Sequence, residues 1–218
     1  MATYLEQELE DIKSKIYEMA DLAMESISRS IDALKNSDVD EASKIIDDDT
    51  ALDLLEVAID DDCIKFLVTR QPAAVHLRLV LSLLKINTDL ERIGDLSTNV
   101  ARETIRLEGR PLLKPLVDIP RMASIAIEMI RDSFKAITEQ DVCLAREIIE
   151  RDREIDELNL QVFRELFTYM AEDAHHLTQS LSLIMIAKAL ERIGDHATNI
   201  AERAIFYIEG VDVRHCDD

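Results

Sequence analysis

Residues 91–101 read ERIGDLSTNVA, and residues 191–201 read ERIGDHATNIA, with eight of eleven positions identical. A second pair supports the first. Residues 38–53, DVDEASKIIDDDTALD, align with residues 141–156, DVCLAREIIERDREID, at seven of sixteen positions. The offsets are 100 and 103, so the first half carries about three extra residues between the two segments, around 69–73. A repeat this long points to duplication of one supersecondary unit, not to a solenoid of many short units.

The pattern around these segments is helical. Leu5, Leu9, Ile12, Ile16, Met19, Ala23, Ile27 and Ile31 step by threes and fours, the period of an amphipathic helix. Asn36-Ser37-Asp38 supplies turn and N-cap chemistry. A second helix is expected from about Asp38 to Thr69, broken by Pro72, and a third from there to Leu107, with Gly109 as terminator. Pro111, Pro115 and Pro120 mark the joint between halves. Ala123, Ile127, Ile130, Phe134 and Ile137 begin the second set, Gln140-Asp141 opens a fifth helix ending near Ala171, and a sixth runs from about Ala174 to Ile208 before Gly210. The expected fold is all-α: two tandem three-helix bundles related by internal duplication, with helices of roughly 45 Å. The first bundle is assigned to residues 1–110, a linker to 111–120 and the second bundle to 121–218.

Composition agrees. Four glycines, four prolines, 4% aromatics and no tryptophan leave little for the turns and faces of a sandwich or barrel. Twenty-five basic against 45 acidic residues give a formal charge of −20, which repels phosphate backbones and argues against nucleic-acid binding. The same field suits metal cations or basic protein surfaces. Cys63, Cys143 and Cys216 are odd in number and form no CxxC, so a reducing compartment is expected. The N-terminus lacks a basic start followed by an apolar run, and the apolar stretches near 77–86 and 181–190 are too short to span a bilayer. These features lead to a cytoplasmic assignment.

The chemistry concentrates in carboxylates. Glu91 and Asp95 are four apart, hence on one helical face and about 6 Å apart along the axis. Asn99 continues the row, and Glu191, Asp195 and Asn199 repeat it. Like charges at this spacing repel, so the duplicated cost asks for compensation. Asp49 and Asp53 on the second helix, and Asp152 and Asp156 on the fifth, form similar pairs. Asp49 lies four after Ile45 and three before Leu52, and Asp152 stands likewise to Ile148 and Ile155, so both interrupt an apolar stripe where an unpaired charge is expensive. If helices two and three are neighbours, four carboxylates converge, an all-oxygen donor set suited to Mg, Mn, Fe or Zn ions. Gly94 and Gly194 point to a close approach beside that site. Arg92 and Arg192 are candidate counter-ions, and with Asn99 and Asn199 they are candidates for supporting the ligands. The competing reading is a solvated acidic face.

Other motifs are sparser. Glu172 and His175 form a single ExxH, the spacing of di-iron bundle sites, whereas the first half has Pro72 and Val75 there. His76 and His176 match in position, and His196 replaces Leu96. No glycine-rich phosphate loop and no Ser-His-Asp or Cys-His arrangement stands out, so the chain is not read as an enzyme.

The paired ERIGD segments with the following TxN, RQPAAVHLRLV at 70–80, YMAEDAHHL at 169–177 and the closing FYIEG at 206–210 resemble the PhoU phosphate-uptake regulators over about residues 5–215. The resemblance implies a multinuclear metal cluster on each bundle, held by Asp49, Asp53, Glu91 and Asp95 in the first and Asp152, Asp156, Glu191 and Asp195 in the second. It also implies a cytoplasmic, dimeric negative regulator that works between the ATPase subunit of a phosphate transporter and a phosphate sensor histidine kinase, meeting the membrane only through them. The expected role is a metal-binding adaptor that represses phosphate uptake and the phosphate-starvation response. The alternatives are a carboxylate-bridged di-iron oxidase and a metal-free helical tether.

Overall fold

The computed structural model describes residues 4–107 and 112–213. Gly109, Pro111 and Cys216, used above as helix terminator, joint and third cysteine, lie outside them. Six helices follow in order: α1 (Tyr4–Asn36), α2 (Val39–Arg70), α3 (Ala74–Arg106), α4 (Asp118–Glu139), α5 (Val142–Glu172) and α6 (Leu177–Glu209), with one 3-10 turn at Ala174–His176 before α6. The architecture is all-α, as expected.

The turns repeat as faithfully as the motifs do. Ser37 and Gln140 are both left-handed, at φ 53° and 55°. Asp38 and Asp141 then cap α2 and α5, each side chain accepting from a backbone N–H three residues on, that of Glu41 at 2.9 Å and that of Leu144 at 3.0 Å. The extra residues of the first half are Gln71, Pro72 and Ala73, the whole of the α2–α3 connection. Pro120 is helical. It sits in the first turn of α4, where a missing N–H breaks no intrahelical bond.

Within the first bundle α1, α2 and α3 pack pairwise, and α4, α5 and α6 do the same in the second. The bundles join side by side: α3 packs along α6, and α1 touches α4. Ile27, Ile59 and Ile93 of the first bundle, and Ile130, Ile155 and Ile193 of the second, are wholly buried in one continuous core. Across the α1–α4 seam Tyr17 and Phe134 meet in a tilted contact at 5.3 Å between ring centroids, and the Tyr17 hydroxyl meets Thr138 at 2.6 Å. One ion pair records the duplication with its charges exchanged. Arg29 of α1 bridges to Asp48 of α2 at 2.8 Å, and at the matching positions Asp132 of α4 bridges to Arg151 of α5 at 2.9 Å. Among the described residues no helix is long and apolar enough to cross a membrane.

Candidate metal centre

The glycines fix how α2 meets α3 and how α5 meets α6. A Cβ built on Gly94 would stand 3.0 Å from both Asp49 Oδ1 and Leu52 Cδ1. On Gly194 it would stand 2.7 Å from Asp152 Oδ1 and 2.9 Å from Ile155 Cδ1. Each glycine therefore opens the space into which an aspartate from the neighbouring helix leans. This places Asp49 beside the Glu91–Asp95 row and Asp152 beside the Glu191–Asp195 row.

The electrostatics follow from that crowding. Burial, reinforced by Asp53 and Asp95, pushes Asp49 up from 3.8 to about 6, with Arg102 opposing it. Burial, then Asp195, Asp156 and Glu191, pushes Asp152 to about 7. Asp195 and Glu91 are raised as well, in each case by burial first and by a carboxylate of their own helix next, Glu191 and Asp95 respectively. A carboxyl that cannot ionise readily among other carboxyls lacks a counter-ion. Among these carboxylates Glu91 Oε2, Asp152 Oδ1 and Glu191 Oε2 are buried without a hydrogen bond; Glu91 has Arg92 and Glu191 has Lys188 as an ion-pair neighbour, whereas Asp152 has none among the described residues. Hard or borderline cations would supply both missing elements, and the donor set is the all-oxygen kind they take.

The geometry is less complete than the electrostatics. Among the described residues no three His, Cys, Asp or Glu side chains already enclose one ion position. Like charges have no reason to close on a common point without a cation between them, and Asp53, Asp156 and Asp195 remain exposed at the helix surface.

The neighbours divide. Arg92 pairs with Glu91 at 3.3 Å and with Asp95 at 3.2 Å, so it does neutralise this row, including its sequence neighbour. Arg192 is exposed and has no carboxylate partner among the described residues. Asn99 accepts from Arg102 at 2.7 Å. Asn199 turns away from the site and donates to Asp89 of α3 at 3.2 Å, beside His196, whose Nδ1 meets the same oxygen at 2.9 Å. His196 thus links the two repeats. Leu96 fills its place in the first repeat, and that asymmetry was the sequence signal for it. The ExxH does not survive folding. Glu172 ends α5, and His175 lies in the 3-10 turn with its ring 94% exposed and bound to Asp173.

Sequence reasoning missed Glu56 and Asp60. Burial and the charges of Asp60 and Asp53 raise Glu56, which adjoins the first cluster. Buried Asn87 donates to Asp60 at 2.9 Å and to the Glu56 carbonyl at 2.9 Å. Glu56 and Asp60 are four apart like the other pairs, but Asn159 and Phe163 stand in the second half, so the repeat did not flag them.

Comparison with known proteins bears on what this arrangement is for. The PhoU domain matches residues 16–104 and again 119–204. The phosphate-specific transport system accessory protein PhoU homolog of Aquifex aeolicus is 42% identical over 209 residues, 96% of this chain and 95% of its own. The phosphate-specific transport system accessory protein PhoU of Escherichia coli is 33% identical over 208 residues, 95% of this chain and 86% of its own. The crystal structure of PhoU from Pseudomonas aeruginosa superposes with a TM-score of 0.89 at 35% identity, covering 94% of this chain and 99% of that one.

Proposed function

The chain belongs to the PhoU family, and on that premise we propose that it is a non-enzymatic, metal-binding cytoplasmic adaptor that holds phosphate uptake and the phosphate-starvation response in check. Its partners in this reading are the ATPase subunit of a phosphate transporter and a phosphate sensor histidine kinase, and it works as a homodimer. The relatives' names, as accessory proteins of phosphate-specific transport, support the system it serves.

The observation that carries the metal reading is the duplicated meeting of an inward aspartate with a helical glycine, Asp49 on Gly94 and Asp152 on Gly194. Each brings an under-compensated carboxylate to the Glu-x-x-x-Asp row of the next helix. Asp49, Asp53, Glu91 and Asp95 would hold metal on the first bundle, and Asp152, Asp156, Glu191 and Asp195 on the second. The ion, one of Fe, Mn, Zn or Mg, would neutralise repelling carboxylates and tie α2 to α3 and α5 to α6, so binding adds to folding stability.

Elemental analysis of protein purified without chelator tests the metal. Absence of all four, with no thermal shift on adding any, sinks that part. Deletion of the gene in its host tests the role. Starvation genes expressed at high phosphate are expected, and unchanged repression refutes it.

A further inference from the structure

A cleft of about 320 Å³, open to solvent, lies between the C-terminal half of α3 and the N-terminal half of α6. Leu96 and Met185 are among its apolar lining, and Arg102, Arg106, Lys188 and Arg192 surround it. Four cations around one cleft stand out on a chain of formal charge −20. Glu103 is the single acid in the lining.

These cations are available. Arg106 bonds Glu103 at 2.8 Å and Lys188 bonds Glu191 at 2.5 Å, each across one helical turn; the carboxylates are largely buried, but both cations are more than half exposed and keep further N–H donors for solvent. Arg102 is held by the neutral Asn99, and Arg192 by no carboxylate among the described residues. The apolar side is available too. Met185 is 56% exposed and Leu181, one turn before it on α6, is 49% exposed. Leu177, also exposed, extends the stripe. From 177 to 192 the α6 wall runs about 22 Å, roughly four helical turns.

The duplication offers an internal comparison. The matching positions, on the N-terminal half of α3 and the C-terminal half of α6, hold Glu202 for Arg102, Phe206 for Arg106 and Thr88 for Lys188, with Lys85 for Met185 and Arg203 for Glu103. Arg92, the counterpart of Arg192, is tied to Glu91 and Asp95. Where the cleft has Leu96 and Ala189, the matching positions hold His196 bridged to Asp89. Leu77 and Leu81 are exposed on α3 as Leu177 and Leu181 are on α6, so what sets the cleft apart is Met185 in place of Lys85 and the grouping of Arg102, Arg106, Lys188 and Arg192 around it.

We propose that the α3–α6 cleft lined by Arg102, Arg106, Lys188 and Arg192 is a docking groove for an amphipathic helical segment of a partner protein, one with an apolar stripe flanked by acidic residues. The apolar row Leu177–Leu181–Met185 takes the stripe, and the four cations take the flanking carboxylates. A flat anionic membrane fits less well. The groove is concave, and Asp95, on the same exposed row of α3 as Asn99 and Arg102, would face the lipid headgroups. Free anions such as phosphate would leave the apolar row uncovered. The groove touches the proposed metal centre only through Lys188, which bonds Glu191, and the test below is made without metal.

A fluorescein-labelled 18-residue helical peptide of leucine and glutamate serves as probe, with the full-length chain in chelator. Anisotropy is expected to report saturable binding that weakens with salt. Arg102→Gln with Arg192→Gln should weaken it at least fivefold, and Lys85→Glu, at the repeat position that matches Met185, should leave it unchanged. Unaltered circular dichroism of the exposed-site variants checks folding. Equal binding by wild type and the double variant overturns the proposal. So does no peptide binding alongside arginine-dependent binding to phosphatidylglycerol vesicles, which assigns the groove to a membrane. A dimer that falls apart in the double variant on sedimentation assigns it to a second copy, and also overturns it.

Discussion

Asp152 of α5 lies directly against Gly194 of α6, so close that a methyl group on the glycine would stand 2.7 Å from the carboxylate oxygen. Asp49 and Gly94 repeat the relationship in the first bundle at 3.0 Å. Two charges are carried into the helix interface, and two glycines make the room.

Gly194→Ala tests the fit. Alanine gains roughly 1 kcal/mol of helix propensity over glycine. The collision with Asp152 and Ile155 costs about 1–3 kcal/mol, as overpacking does. Net destabilisation in urea unfolding is expected, and a smaller loss for Gly94→Ala, whose contacts are looser. A more stable Gly194→Ala protein would show that the aspartate leans elsewhere.

Acidification should stabilise the metal-free protein. Asp152, raised to about 7, and Asp49, raised to about 6, hold protons in the folded chain that the unfolded chain loses near its ordinary carboxylate range. Their contribution to stability is full below about pH 4 and is lost as pH rises through 6 and 7. The melting temperature should therefore rise from pH 8 to pH 5, and Asp152→Asn should flatten the trend. The opposite slope in that window, measured in chelator, refutes the crowding of these carboxyls. Below it, carboxylates held by partners, such as Asp173 by the backbone N–H and ring of His175, reverse the sign.

Metal should invert the effect of the same residues. Without metal, Asp152→Asn with Asp195→Asn removes like-charge repulsion and raises the melting temperature. With Mn or Zn added, wild type should gain stability and the double variant should gain less. Equal gains mean that any bound ion sits elsewhere.

Gln140→Gly is expected to stabilise by about 0.5–1 kcal/mol. Gln140 holds φ at 55°, a conformation glycine adopts without a side-chain clash. Chemical denaturation measures the change, and a loss would mean that the Gln140 side chain contributes contacts outweighing its backbone strain.

Thiol labelling should separate two cysteines. Cys143 is exposed, whereas Cys63 is fully buried and burial, then Asp60 and Asp62, pushes its thiol to about 12. A thiolate-selective reagent should modify Cys143 in the native protein and reach Cys63 only on unfolding. Fast native labelling of Cys63 would contradict its burial.

Much of the fold was legible because it rests on local signals. Asp38 and Asp141 announce helix starts, apolar steps of three and four give helix faces, and Gln71–Ala73 account for the three-residue difference between repeats. The candidate centre was legible as far as duplication marked it. Glu56 and Asp60 went unnoticed because their partners across the repeat are Asn159 and Phe163. Asn199 has a partner that its own helix could not announce. Helical phase put it on the carboxylate row, but the pull of Asp89 came from a helix of the other repeat.

By itself the sequence determined the helices, their duplication and which carboxylates share a helical face, because periodicity and capping act within a few residues of chain. Only the tertiary structure decided which rows meet. The close approach of α5 to α6 at Gly194 and the bridge from Asp89 to His196 are contacts between distant segments, set by how whole helix faces pack. So too is the basic cleft between α3 and α6, since its two walls come from different repeats. Spacing along one helix carries no record of the helix that will lie beside it.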